Sequence, residues 1–291
     1  MNSNTKAILI AMLGGMAVLS PIIGQAEEAK APDPAPTPTH TFTPNLAVVN
    51  NYIFRGMTQT WNQPALQGGI DYSHTDGWYA GAWASNISDR EYADGSVELD
   101  LYGGYNGKFP KDDWTWTVGL AGTIYPGADY DKTKPTRVPN PSQTYDNLEV
   151  NGGIGYKWVA FKLSAALTDY YGANTTTGYT SGTQWSTYSD LTATVPLPED
   201  VFGQNVTLPL HVGHLHYTAK LQTPVAGETN PDYTDYKIGI AKGFDYDISL
   251  ALALTYADND DVYGHVQSLK GGNDFINMVG THVVLSLTKT F

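Results

Sequence analysis

The sequence predicts an all-β fold, a transmembrane antiparallel up-and-down β-barrel of about twelve strands, within a range of about 10–14. Three observations predict it. Apolar and polar residues alternate with a period of two in segment after segment of about ten residues, the length of a tilted membrane-crossing strand. The connections between those segments alternate between long and short, as they do when one kind of connection collects on each rim of a barrel. The composition, with 30 Gly, 20 Tyr and 7 Trp but only 15% charged residues, favours β structure, and the absence of Cys removes disulfides, thiolate metal sites and Cys nucleophiles.

Residues 1–26 have the form of a secretory signal peptide. Lys6 is its positive end, residues 7–19 its apolar core, and Gly24-Gln25-Ala26 supplies small residues for cleavage before Glu27. This is the chain's only candidate helix, and its apolar run is short for a spanning helix of ~20 residues. Residues 27–44 carry Pro32, Pro34, Pro36, Pro38 and Pro44 with no apolar period, which predicts an extended periplasmic tail. The barrel is expected over residues 45–291.

Five strands are plainest: Val97, Leu99, Leu101, Gly103 and Tyr105; Trp114, Trp116, Val118, Leu120, Gly122 and Ile124; Leu148, Val150, Gly152, Ile154 and Tyr156; Val159, Phe161, Leu163, Ala165 and Leu167; Ile248, Leu250, Leu252, Leu254 and Tyr256. Weaker segments lie near residues 46–55, 65–74, 77–88, 184–195, 206–218 and 234–242, and the C-terminal strand completes the set. Connections at 56–64, 89–95, 126–144, 172–183, 219–233 and 258–273 are long. Those at 75–77, 107–113, 157–158 and 243–245 are tight, with 196–205 as an exception. An even strand number sets both termini on one side, so the long loops are expected outside the cell and the N-terminus in the periplasm. Aromatic residues collect where strands meet connections, where rings with a polar tip suit the membrane interface. In a soluble barrel the same apolar set points inward.

The last strand alternates Val283, Leu285, Leu287 and Phe291 against His282, Val284, Ser286, Thr288 and Thr290. It resembles the C-terminal signal strand of bacterial outer-membrane β-barrels, with Phe291 as the best match and Lys289 as a departure at an apolar position. The resemblance implies Val283, Leu285, Leu287 and Phe291 as an insertion signal read by the barrel-assembly machinery.

Three further stretches carry a more specific resemblance: Asn51-Tyr52-Ile53-Phe54-Arg55-Gly56-Met57-Thr58-Gln59, Pro64-Ala65-Leu66-Gln67-Gly68-Gly69-Ile70-Asp71-Tyr72, and Gly77-Trp78-Tyr79-Ala80-Gly81-Ala82-Trp83-Ala84-Ser85-Asn86. With Glu98-Leu99-Asp100-Leu101-Tyr102, these resemble the opening block of the proteobacterial TorF-family porins, also grouped as Gcw-type proteins. The resemblance implies an outer-membrane location and a pore, without a defined substrate.

With the apolar face turned to lipid, Asn51, Arg55, Gln67, Asp71, Glu98, Asp100, Tyr102, Glu149, Asn151, Lys162, Asp190 and His211 are expected to face the lumen. Strand directions place Arg55, Glu98, Asp100 and Glu149 in the extracellular half. Arg55, Glu98, Asp100, Tyr102, Glu149, Lys162 and Asp190 are therefore the candidate selectivity residues of a charged constriction; the other reading is a paired network that fills a narrow lumen. Removing Lys6 with residues 1–26 takes the formal charge from -13 to -14. That excludes nucleic acid as a ready partner and favours cations in any pore. Acidic loops are also suited to divalent ions bridging to lipopolysaccharide.

The expected function is passive passage of small hydrophilic solutes or ions, with no cofactor. The alternatives are a closed barrel that binds a surface partner, and a lipid-acting enzyme built on Ser286 and His282. No Gly-x-Ser-x-Gly turn accompanies that pair. Asp258-Asn259-Asp260-Asp261 lacks the Gly and distal Glu of the twelve-residue calcium loop. His211 lies on the opposite strand face from His214 and His216, which argues against a metal cluster.

Overall fold

The computed structural model describes residues 38–110, 113–134, 142–223 and 227–291. The expected signal peptide (residues 1–26) and residues 27–37 of the expected tail lie outside them. Twelve strands form one closed antiparallel barrel: β1 His40–Val49, β2 Ala65–His74, β3 Trp78–Asn86, β4 Val97–Lys108, β5 Trp114–Ile124, β6 Asn147–Tyr156, β7 Val159–Ala166, β8 Thr187–Pro196, β9 Val206–His216, β10 Tyr233–Phe244, β11 Ile248–Ala257 and β12 Gly280–Thr290. Each pairs with its sequence neighbours, and β1 closes on β12 through Asn45↔Thr290 to Val49↔Ser286. Closure leaves no open edge, the condition a sheet must meet to cross hydrocarbon.

Alternation sets the direction of every wall. Val97 and Leu101 on β4, Val118 and Leu120 on β5, Leu250, Leu252 and Leu254 on β11, and Val283, Leu285 and Leu287 on β12 are exposed on the outside. Residues of the other parity, such as Glu98, Asp100, Thr117, Glu149 and Thr288, are buried within. A barrel with an apolar exterior and a polar interior is the inverse of a soluble one, and it belongs in a bilayer. Rings gather at the rim of tight turns, where Trp78 meets Tyr105 edge-on at 5.1 Å and Trp114 meets Tyr156 at 4.9 Å.

The first strand begins at His40, earlier than the segment near 46–55 that the pattern suggested, and so takes in Pro44. A proline is tolerated there because its carbonyl accepts from the Phe291 amide at 2.9 Å, so its nitrogen also faces the side on which β12 has ended. The wall then ends early, at Val49. Asn50 substitutes for further backbone pairing: its Nδ2 donates to the Val283 carbonyl at 3.0 Å and its Oδ1 accepts from the Leu285 amide at 2.8 Å. Freed from the sheet, the chain turns inward.

The long connections share one rim and knit together over it. Thr58 N donates to Met278 O and Ser88 N to Gln59 O; Leu269 N donates to Arg90 O, and Lys134 N to Leu269 O. Below these loops, two buried aromatic clusters close the mouth. One holds Tyr52, Tyr92, Tyr125 and Tyr145, the other Tyr170, Tyr188 and Tyr233, and Tyr171 packs against both.

Candidate functional site

The connection from β1 to β2 builds the centre of the site. Ile53–Phe54 pairs with Met57–Thr58 as a miniature hairpin, and Arg55-Gly56 forms its two-residue turn with φ of 45° and 78°. That left-handed pair is the turn that matches strand twist, and it suits glycine at the second position. A Cβ on Gly56 would lie 2.5 Å from the Cβ of Asp235 and 2.7 Å from that of Ala257, so the turn is pressed against the inner wall at β10 and β11.

Arg55 reaches from this tip across the lumen. Its two terminal nitrogens donate to the two oxygens of Glu149 on β6 at 2.9 and 2.8 Å, and Nη1 also donates to Tyr170 Oη at 2.7 Å. The guanidinium lies 4.2 Å from the ring centre of Tyr188 and 4.9 Å from that of Phe54. Both members of the ion pair are 7% exposed, so the forked pair acts where water screens it little.

A second cluster lies on the opposite side of the hairpin. His211 on β9 is held between Asp190 on β8, 3.1 Å from Nδ1, and Asp235 on β10, 2.7 Å from Nε2. Tyr188 donates to the other oxygen of Asp235 at 2.8 Å. Gly213 makes room for this contact, since a Cβ there would meet Tyr188 Oη at 2.0 Å. Towards β2–β5 the acids are capped by phenols: Glu98 accepts from Tyr52 at 2.7 Å and Tyr125 at 2.8 Å, and Asp71 accepts from Tyr102 at 2.5 Å.

Nearer the turns the lumen widens because its wall residues become small. A cavity of about 120 Å³ runs beside the hairpin, walled by Thr192, Thr207, Ala251, Ala253, Ser286 and Thr288 and roofed by Arg55, Tyr188 and His211. A smaller space of about 20 Å³ lies on the far side of Arg55, against Tyr79, Tyr102, Glu149 and Lys162. Arg55 borders both, so the hairpin tip divides the lumen.

A family model described as a bacterial protein of unknown function, Gcw_chp, matches residues 33–291. The chain belongs to the Gcw_chp family. Curated proteins give no match. Among solved structures, the Gcw_chp barrel is similar to the NanC porin, with 10% identity and a TM-score of 0.48 over 86% of this chain and 99% of that one. It is also similar to the TodX monoaromatic hydrocarbon channel deltaS2 mutant, at 10% identity and 0.43 over 89% and 90%. For OccAB1 of Acinetobacter baumannii the values are 12% and 0.42 over 83% and 60%. Likeness at this level says nothing of what passes through the barrel, and the architecture rests on the strand pairing above.

Most of the residues expected in the lumen of this Gcw_chp barrel point there: Gln67, Asp71, Glu98, Asp100, Tyr102, Glu149, Asn151, Lys162, Asp190 and His211 are buried or half-buried on inward positions. Arg55 and Asn51 do not sit on the β1 wall. Both belong to the inward loop, where Asn51 bonds Thr58, Thr60 and Asn62 and shapes the loop. The expected grouping of Arg55 with three carboxylates reduces to Arg55 with Glu149, since Glu98 is taken up by two phenols and Asp100 keeps Oδ1 without a partner among the described residues.

Asp235, Lys237 and Tyr188 were missed. Asp235 and Lys237 alternate with Tyr236, Ile238 and Ile240, so strand parity in residues 234–242 was the signal. Val283, Leu285, Leu287 and Phe291 all face outward, and Lys289 reaches the Tyr246 carbonyl at 2.6 Å on the turn rim. His282 and Ser286 share the inner face without a mutual hydrogen bond among the described residues, and His282 Nε2 has no partner. Among the described residues no group of His, Asp and Glu is placed to hold a metal ion. His214 and His216 lie on the outer face, paired with Thr234 and Asp232. Asp258 and Asp260 tie the last long loop to Thr234 and Asn277.

Proposed function

We propose that this chain is an outer-membrane channel of porin type that passes small hydrophilic solutes or ions passively, with its N-terminus periplasmic and its long loops extracellular. The supporting observation is a polar cavity of about 120 Å³ beside a hairpin whose tip is held by side chains. A barrel that served only as a scaffold has no use for a polar hollow flanked by charged side chains.

In the conformation described, the hairpin and aromatic lid occlude the loop end, so passage follows movement of the hairpin tip. Six acidic side chains (Asp71, Glu98, Asp100, Glu149, Asp190, Asp235) and three basic ones (Arg55, Lys162, Lys237) face the lumen among the described residues, an excess that favours cations. The TorF-type resemblance of residues 51–86 agrees with this reading, as does a C-terminal strand fit for the barrel-assembly machinery and acidic loops facing lipopolysaccharide.

The aromatic lid favours a second reading, a closed barrel whose loops bind a surface partner. Planar-bilayer recordings separate the two. The channel reading expects stepwise conductance with a reversal potential on the cation side in a salt gradient, reduced by Glu98→Gln and Asp100→Asn. A folded barrel that stays silent in every condition, including with the Arg55 pair removed, leaves the closed reading.

A further inference from the structure

Strand register places a row of donors along one side of the cavity. His211 pairs across with Lys237, Lys237 with Thr255, and Thr255 with His282. Residues directly opposite in a ladder point to the same face with Cβ atoms about 5 Å apart, so the four side chains stand shoulder to shoulder on the inner wall of β9–β12.

The middle two keep hydrogen-bonding capacity to spare. Lys237 Nζ has no hydrogen bond or close ion pair among the described residues, and the carboxylates nearest it, Asp190 and Asp235, are already bonded to His211. Thr255 is only 6% exposed, lines the cavity, and its Oγ1 has no partner among the described residues. A buried hydroxyl is normally satisfied, and an adjacent ammonium and hydroxyl offer two donors to one acceptor group.

The charge around them limits what that group is. On the wall from β6 to β10, with the hairpin seated, Glu149, Asp190 and Asp235 balance Arg55, Lys162 and Lys237, and apart from the phenols His211 is the remaining ionisable side chain. The wall is neutral with a neutral imidazole and has one positive charge with a protonated one, so it accommodates a monoanion and not a dianion. Beneath the donors, Ala251, Ala253 and Val284 present methyl groups to the cavity. They suit a carbon body more than a bare inorganic ion.

We propose that Lys237 and Thr255 form a binding site for a small organic monocarboxylate inside the barrel, the carboxylate taking both donors and the carbon chain lying along the alanine wall. This rests on the reading of the lumen as open to solutes, and it places anion recognition on one wall of a lumen whose opposite wall is acidic. Binding is separable from conduction.

The test is titration calorimetry of the detergent-extracted full chain with butyrate, with butyramide as the neutral control, on wild type, Lys237→Met and Thr255→Val. Unheated samples are checked by gel for the compact barrel form. The expected result is saturable butyrate binding without butyramide binding, weakened about tenfold or more by Lys237→Met and about fivefold by Thr255→Val. No butyrate binding in wild type, or binding unchanged in a folded Lys237→Met barrel, overturns the site. Butyrate binding in a barrel that never conducts keeps the site and removes the channel, whereas conduction without butyrate binding does the reverse.

Discussion

Replacing Glu149 with Gln is expected to open the barrel. In the seated hairpin Arg55 donates twice to Glu149 and once to Tyr170, with Tyr188 and Phe54 flanking the guanidinium. The amide keeps the shape of the carboxylate and removes the charge, so Arg55 is left buried with no anion on its fork. Breaking one side of a buried pair costs about 3–5 kcal/mol. That cost falls on the seated state alone, because a displaced Arg55 is hydrated. At about 1.4 kcal/mol per tenfold, a loss of about 3 kcal/mol raises the ratio of displaced to seated hairpin by about a hundredfold. Single-channel recording of Glu149→Gln should show a matching rise in open probability, Arg55→Met a similar one, and the double variant little more than either. Open probability unchanged from wild type in both folded single variants would refute the assignment of the hairpin as the gate.

Three other outcomes follow from the same geometry. Gly56→Ala adds a methyl 2.5 Å from the Cβ of Asp235 at a φ of 78°, and should also raise open probability without loss of the folded barrel in heat-shift gels. Glu91, in the loop at 87–96, has a buried Oε2 without a partner among the described residues; burial first and the charge of Glu98 second hold its carboxyl well above the ordinary Glu range. The folded lid therefore favours the protonated form, so its stability is full below about pH 4.3 and is lost as pH rises through the raised value. Amide exchange in residues 87–96 should quicken on going from acid to neutral pH, and Glu91→Gln should flatten that dependence. Deleting Phe291 removes an outward ring and the amide bonded to Pro44, and should lower the yield of heat-shiftable barrel in membranes while any barrel that does assemble conducts normally.

The wall was legible in the sequence because lipid and lumen impose opposite demands on successive residues. Val97, Leu99 and Leu101 against Glu98, Asp100 and Tyr102 leave no second solution, and β2 and β5 run over residues 65–74 and 114–124 as the pattern marks them. The hairpin was not legible for the same reason. Val48, Asn50, Tyr52 and Phe54 continue a period of two beyond Val49, and only the side-chain bonds of Asn50 to Val283 and Leu285 show that the wall has ended. Arg55-Gly56 carries the turn signal, yet a turn inside a barrel reads like a turn on its rim. Lys237 and Asp235 were hidden by Gly239 and Ala241 on the same face, which blur the polar set of β10.

The hairpin leaves the sheet between the first two strands, but what holds it comes from far along the chain. Arg55 meets Glu149 and Tyr170 at separations of 94 and 115 residues, and Trp61 at its base meets Asp274 at 213. Contacts so distant in sequence form late, after the intervening strands have been laid down. The seated arginine thus waits on β6 and the connection after β7, and the Trp61 contact waits on the last long connection. On the proposed reading, the residues that gate passage in the mature barrel are also ones whose contacts depend on how far its construction has gone.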